Sequence, residues 1–179
     1  PAVPSAEDLP IALLVDLSSG QTLYAREAGR RFMPASITKV MTTYVAFERF
    51  AQGKLFPQQV TAMRPETFKK WGHVGSTMYL AENAPVTIGA LLHGITTVSA
   101  NDGAVVLGEA ALGSVEAWVA EMNRTARALG MRDSHFGTPN GWMDEGRTFT
   151  TANDLVTLAR AMIQSYPGYY NQFVGAQAL

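Results

Sequence analysis

From Ser36 onward, the apolar positions Ile37, Val40, Met41, Tyr44, Val45 and Phe47 recur at helical spacing until a glycine stop at Gly53. The run is apolar almost all round, which predicts a central, buried helix. Before it, "IALLVDL" and "TLYAR" are two β-favouring runs around "SSGQ", and they predict a hairpin over residues 11–26.

Residues 63–84 contain Pro65, Gly72 and Gly75 with weak periodicity, so they read as loop with one short strand at residues 78–80. A long loop in a compact domain is often functional. After Pro85, "TIGALLHGITTV" predicts a helix capped by Thr87; "VSAN" breaks it before a second helix through "DGAVVLGEAALG". Ser114 then caps "VEAWVAEMNRTARAL", whose stripe of Val115, Trp118, Val119, Met122 and Leu129 ends at Gly130. The stretch "DSHFGTPNGWMDEGRTF" is turn-rich, and Thr151 with Asp154 predicts the start of a helix ending before Pro167. No internal repeat or low-complexity segment is visible.

Composition narrows the class. With 179 residues, 47% hydrophobic and 16% charged, the chain fits one globular domain. Fourteen Lys and Arg against fifteen Asp and Glu, scattered singly, give no basic footprint, so nucleic acid is not an expected partner. There is no cysteine, hence no disulfide framework and no thiolate metal site. The longest uncharged run is too rich in Thr and Asn for a spanning helix, and "PAVPSAEDLP" lacks the charged and apolar regions of a leader, which is expected to have been removed if one existed.

The four residues "SITK" bring in chemistry. Three positions apart on a helix, Ser36 and Lys39 share a face, so the lysine amine can reach the serine oxygen. A hydroxyl becomes a useful nucleophile when a neighbour takes its proton, and lysine can do that only when neutral. Burial against an apolar helix can lower a lysine pKa by as much as about 3–5 units. Alone the motif is weak, since a chain this long carries about one Ser-x-x-Lys by accident. Its setting strengthens it: an apolar run is an expensive place for a lysine without a task.

"TTVSANDGA" adds a second candidate. Ser99 and Asn101 alternate, so in an extended or turn segment both could face one cleft, a hydroxyl to relay protons and an amide to orient a carbonyl or the lysine. The bland alternative is an N-cap, a common duty for Ser and Asn ahead of a helix.

With these motifs in place, the chain resembles the low-molecular-mass penicillin-binding proteins that act as serine-type D-alanyl-D-alanine carboxypeptidases. The resemblance covers "IALLVDLSSGQTLYAREAGRRFMPASITKVMT", "HVGSTMYLAENAPVTIGALLHGITTVSANDGAVVLGE", "MNRTARALGMRDSHFGTPNGW" and "FTTANDLVTLARAMI". It implies an α/β fold of the serine β-lactamase and penicillin-binding transpeptidase type, a helical subdomain with the N-terminal strands of an antiparallel sheet. It implies Ser36 as nucleophile, Lys39 as base, Ser99 as proton relay and Asn101 as substrate-binding residue. Peptidoglycan stem peptides are the implied substrate and β-lactams the implied covalent inhibitors, outside the cytoplasmic membrane, with no cofactor or metal. Any membrane association would come from segments not in this chain.

The family's third motif, Lys-Thr-Gly, is absent: the lysines are Lys39, Lys54, Lys69 and Lys70, none ahead of Thr-Gly. Residues 1–179 are therefore expected to be a partial catalytic domain, its remaining strands and third motif lying elsewhere. Rival readings are a D,D-endopeptidase of the same family, a non-catalytic peptidoglycan-binding module, and a class A β-lactamase. The last is disfavoured because the motif is Ser-Ala-Asn and no Glu-x-x-x-Asn follows it. His73, His93 and His135 are too far apart for a zinc pattern and read as loop or packing residues. Trp71 and Trp142 border the turn-rich stretches, where packing beneath loops is the ordinary role. "TPNGW" is a glycine turn, and Asp144 with Glu145 reads as a solvated acidic pair.

Overall fold

The computed structural model describes residues 8–175. In chain order it contains β1 (Ala12–Val15), β2 (Thr22–Arg26), α1 (Thr38–Ala51), β3 (Val60–Ala62), α2 (Pro65–Trp71), β4 (Pro85–Thr87), α3 (Ile88–Val98), α4 (Asn101–Leu112), α5 (Val115–Ala128), α6 (Ala152–Ser165) and α7 (Pro167–Phe173). Two antiparallel pairs, β1 with β2 and β3 with β4, accompany a helical body, consistent with the expected α/β class.

The hairpin forms as its pattern predicts, Leu13 opposite Ala25 and Leu14 opposite Tyr24. Asp16 closes its turn, the carboxylate accepting bonds from the Ser18 amide and from the hydroxyls of Ser18 and Ser19. One side packs on α6 beside Leu155 and Val156, while Leu14, Leu23 and Tyr24 stand exposed on the strands.

Helix α1 is the hub, contacting α3, α4, α5 and α6, and its Met41, Val45, Ala46 and Phe47 are fully buried. Burying one such large side chain stabilises the fold by roughly 1.5–3 kcal/mol. At its C-terminal half, Phe47 and Phe50 meet Tyr169 and Phe173 of α7 at centroid separations of 5.4–6.3 Å. Helix α7 begins at Pro167, which fits a first helical turn because it needs no amide donor there.

The predicted caps form. Thr87 accepts a bond from the Ala90 amide, Ser114 from that of Ala117 and Thr151 from that of Asp154.

Residues 63–84 depart from expectation. Helix α2 occupies Pro65–Trp71, with Pro65 in its first turn, Glu66 near its positive end and Lys69 and Lys70 near its negative end. The expected strand at 78–80 does not form, because Tyr79 has a φ of +56° and its neighbours bond a side chain instead of another strand. The strands that do form, β3 and β4, are three residues each and lie at the two ends of this segment.

Candidate active site

Pro34 is buried, and the chain turns through a single 3₁₀ turn, Ala35–Ile37, before α1 begins at Thr38. Ser36 thus sits in the tight turn just ahead of the α-helix, which begins two residues later than the start at Ser36 read from the sequence. Ala35 has a φ of +48°, a left-handed conformation that costs a non-glycine residue about 1–3 kcal/mol. The turn leaves Ser36 exposed while Lys39, one turn on, is only 4% exposed.

Lys39 Nζ lies 3.1 Å from Ser36 Oγ and donates to the carbonyl of Asn140 at 2.8 Å. Burial lowers its pKa from 10.5 to about 8, because the ammonium loses its water shell. A partly neutral amine beside a solvent-facing hydroxyl can take that hydroxyl's proton.

The Asn140 carbonyl belongs to a strap laid across α1. Thr138 accepts the Gly141 amide on its hydroxyl, and Asn140 Oδ1 accepts the Trp142 amide, which closes the strap into a turn. Gly141 has a φ of +75° and presses on the Ala35 carbonyl so closely that a side chain there would overlap it. The glycine turn read in "TPNGW" is therefore the brace behind the turn that carries Ser36. Its contribution through a backbone carbonyl left no residue-type signal in the sequence.

Ser99 ends α3 in the left-handed conformation, φ +58°, and lines a cleft of about 340 Å³ together with Ser36, Lys39, Val40 and Ile95. Neither Ser99 nor Asn101 serves as an N-cap, since Ala100 holds that position ahead of α4 without a side-chain bond. Asn101 is buried beneath the loop after α2, where its Nδ2 donates to the Val74 carbonyl and its amide to that of Ser76. Among the described residues no hydrogen bond joins Asn101 to Lys39, and Asn101 does not line that cleft.

That loop is fixed by a residue the sequence reading passed over. Asp102, fully buried, accepts the amides of Met78, Leu80 and Gly103. Met78 then packs into the notch left at Gly94 between α3 and α4. Trp71 and Trp142 meet edge to face at 6.0 Å beside this loop, and neither lines the cleft at Ser36. The histidines pack on rings: His73 on Phe68, His93 on Phe173 and His135 on Phe149.

The pairing of Asp144 with Glu145 as solvated acids needs correction. Asp144 is 5% exposed, and its carboxylate takes both the amide and the hydroxyl of Thr148, whose hydroxyl also receives the Gly137 amide. An acid in a turn is cheap to bury when the turn's own donors converge on it.

The sequence pattern of the D-alanyl-D-alanine carboxypeptidase family matches residues 5–177, nearly the whole chain. The chain belongs to that family. It is 32% identical over 174 residues to the D-alanyl-D-alanine carboxypeptidase DacA of Escherichia coli, covering 96% of this chain and 43% of that protein. Among solved structures it is similar to the carboxypeptidase DacD of Francisella tularensis, with a TM-score of 0.86 and 32% identity over 93% of this chain and 39% of the other. Penicillin binding protein 5 of Haemophilus influenzae superposes with a TM-score of 0.87 at 30% identity, over 96% of this chain and 50% of the other. The family's fold is therefore the fold of this chain, low-molecular-mass penicillin-binding protein in type. The chain spans about half or less of the length of these relatives.

Proposed function

We propose that the whole protein containing this chain is a serine-type carboxypeptidase that removes the terminal D-alanine from peptidoglycan stem peptides. One observation carries the reading: the Lys39 amine, buried and held by Asn140, stands 3.1 Å from the oxygen of an exposed serine.

In this reading neutral Lys39 takes the Ser36 proton as Oγ bonds to the carbonyl carbon between the two D-alanines. The carbonyl electron pair moves onto oxygen, where the Ser36 amide supplies one donor, an interaction typically worth about 2.7–4 kcal/mol of barrier. Collapse restores the carbonyl and breaks the C–N bond. The proton held by Lys39 passes through the Ser99 hydroxyl to the departing amine, leaving a seryl ester. Water then attacks the ester, giving a proton to Lys39, which returns one to Ser36 as the shortened peptide leaves with a new carboxyl group. The family resemblance assigns Asn101 to the substrate amide; because Asn101 lies outside the cleft at Ser36, that contact would be made where the bound peptide runs on toward the loop after α2.

A β-lactam would open on the same oxygen, and without a Glu-x-x-x-Asn segment its ester is expected to hydrolyse slowly, so such compounds act as inhibitors. The substrate places the reaction outside the cytoplasmic membrane. Residues 1–179 are read as part of a larger catalytic domain, which is supported by the share of the relatives matched and by the exposed Leu14, Leu23 and Tyr24.

The test is labelling of the whole protein with a fluorescent penicillin, together with release of D-alanine from a stem pentapeptide. Both should disappear in a folded Ser36→Ala variant. Stoichiometric labelling of that variant at another residue would refute the assignment, and cleavage of cross-linked peptides alone would indicate an endopeptidase.

A further inference from the structure

Thr42 lies one helical turn beyond Lys39 on α1 and is completely buried. Its hydroxyl donates to the Pro139 carbonyl at 2.7 Å, and its oxygen receives Trp118 Nε1 at 3.5 Å. Pro139 precedes Asn140, so two successive strap carbonyls meet two side chains of the same helix face: Pro139 with Thr42, and Asn140 with Lys39. Pro139 has no amide proton, which leaves its carbonyl as the backbone's hydrogen-bonding handle at that point.

We propose that Thr42 is a positioning residue for acyl transfer: its bond to Pro139 fixes the strap whose next carbonyl, that of Asn140, aligns the Lys39 amine on Ser36. The role rests on the function assigned above to Ser36 and Lys39. A neutral amine has two N–H donors and one lone pair. When Asn140 accepts one N–H, the rotation of the amine about its stem is restricted and the lone pair is kept available for the Ser36 proton. If the strap drifts, the amine remains in place as a group but loses its direction. A misplacement of about 1 Å at a reacting pair can lower a rate by about a hundredfold.

Thr42 touches no reacting atom, so its effect should fall on the covalent step and not on ligand capture. Burial alone predicts something different, a loss of stability indifferent to whether a hydroxyl is restored. The experiment compares Thr42→Val, Thr42→Ala and Thr42→Ser in the whole protein, resolving the first-order acylation constant from the dissociation constant of the preceding complex with a fluorescent penicillin. The control is Thr125→Val, which removes another buried hydroxyl, one bonded to Glu48 instead of to the strap.

The expected result is an acylation constant about 10–100-fold lower in the Val and Ala variants, with the dissociation constant within about twofold of wild type. Thr42→Ser should stay within about threefold of wild type, and Thr125→Val should acylate normally. If Thr42→Val does not fold, the Ala and Ser variants decide the matter between them. Wild-type acylation in a folded variant lacking the hydroxyl overturns the proposal, as does an equal loss in Thr42→Ser; either leaves the roles of Ser36 and Lys39 standing. Failure of the wild-type protein to acylate at Ser36 overturns the functional reading itself, and the positioning role with it.

Discussion

A side-chain carbon on Gly141 would overlap the carbonyl oxygen of Ala35, the residue that sets Ser36 in its turn. Two remote stretches of sequence thus meet backbone to backbone, with no room for even a methyl group between them.

Gly141→Ala should therefore be severe. The new methyl must displace the Ala35 peptide while adopting a φ of +75°, and that conformation alone costs about 1–3 kcal/mol. Chemical denaturation should show a loss of at least about 2 kcal/mol, and acylation should slow in any fraction that folds. An unchanged midpoint with normal acylation would mean the strap does not brace the turn at Ser36.

Asp102→Asn tests the anchor of the loop after α2. The amide that replaces one carboxylate oxygen presents N–H to backbone N–H at Met78 or Leu80, in a fully buried place. The expected cost is about 2–3 kcal/mol, with faster hydrogen exchange at those two amides. Exchange rates that do not change would show the loop to be held by other means.

Lys39 should impose a pH dependence on stability. Its folded pKa, about 8, lies below the ordinary 10.5, so between these values the unfolded chain holds a proton that the folded chain does not. Stability from this group therefore rises with pH across that window, by at most about 1.4 kcal/mol per unit, and is lowest below pH 8 where the ammonium must be buried. Subtracting the unfolding curve of Lys39→Met isolates the effect. Parallel wild-type and variant curves from pH 8 to 10.5 would show that burial does not disfavour the charged amine.

What could be read from the sequence was what side-chain periodicity and caps determine. The apolar faces of α1 and α5, the caps Thr87, Ser114 and Thr151, and the hairpin are all local signals. The approach of Ser36 to Lys39 was equally local, three positions apart across the turn that leads into α1. Helix α2 has Pro65, Glu66, Lys69 and Lys70 where helix ends favour them, but Pro65 with Gly72 and Gly75 over a short, weakly periodic segment signals loop just as strongly in a sequence. The strand expected at 78–80 failed on long-range grounds: Asp102, some twenty residues on, takes the amides that a neighbouring strand would otherwise accept. Asn140 could not have been found by residue type, since it contributes a backbone carbonyl that any residue possesses. Asp144 was misread because exposure of an acid in a turn depends on which donors the turn folds around it.

The central claim, that a buried Lys39 serves as the base for Ser36, is tested most directly by the acylation rate of the whole protein by a penicillin as a function of pH. The account predicts a rise of about tenfold per pH unit that bends near pH 8 and is level above it, as the neutral amine becomes the dominant form. A rate flat from pH 6 to 9, or one still climbing unbent past pH 10, would contradict it.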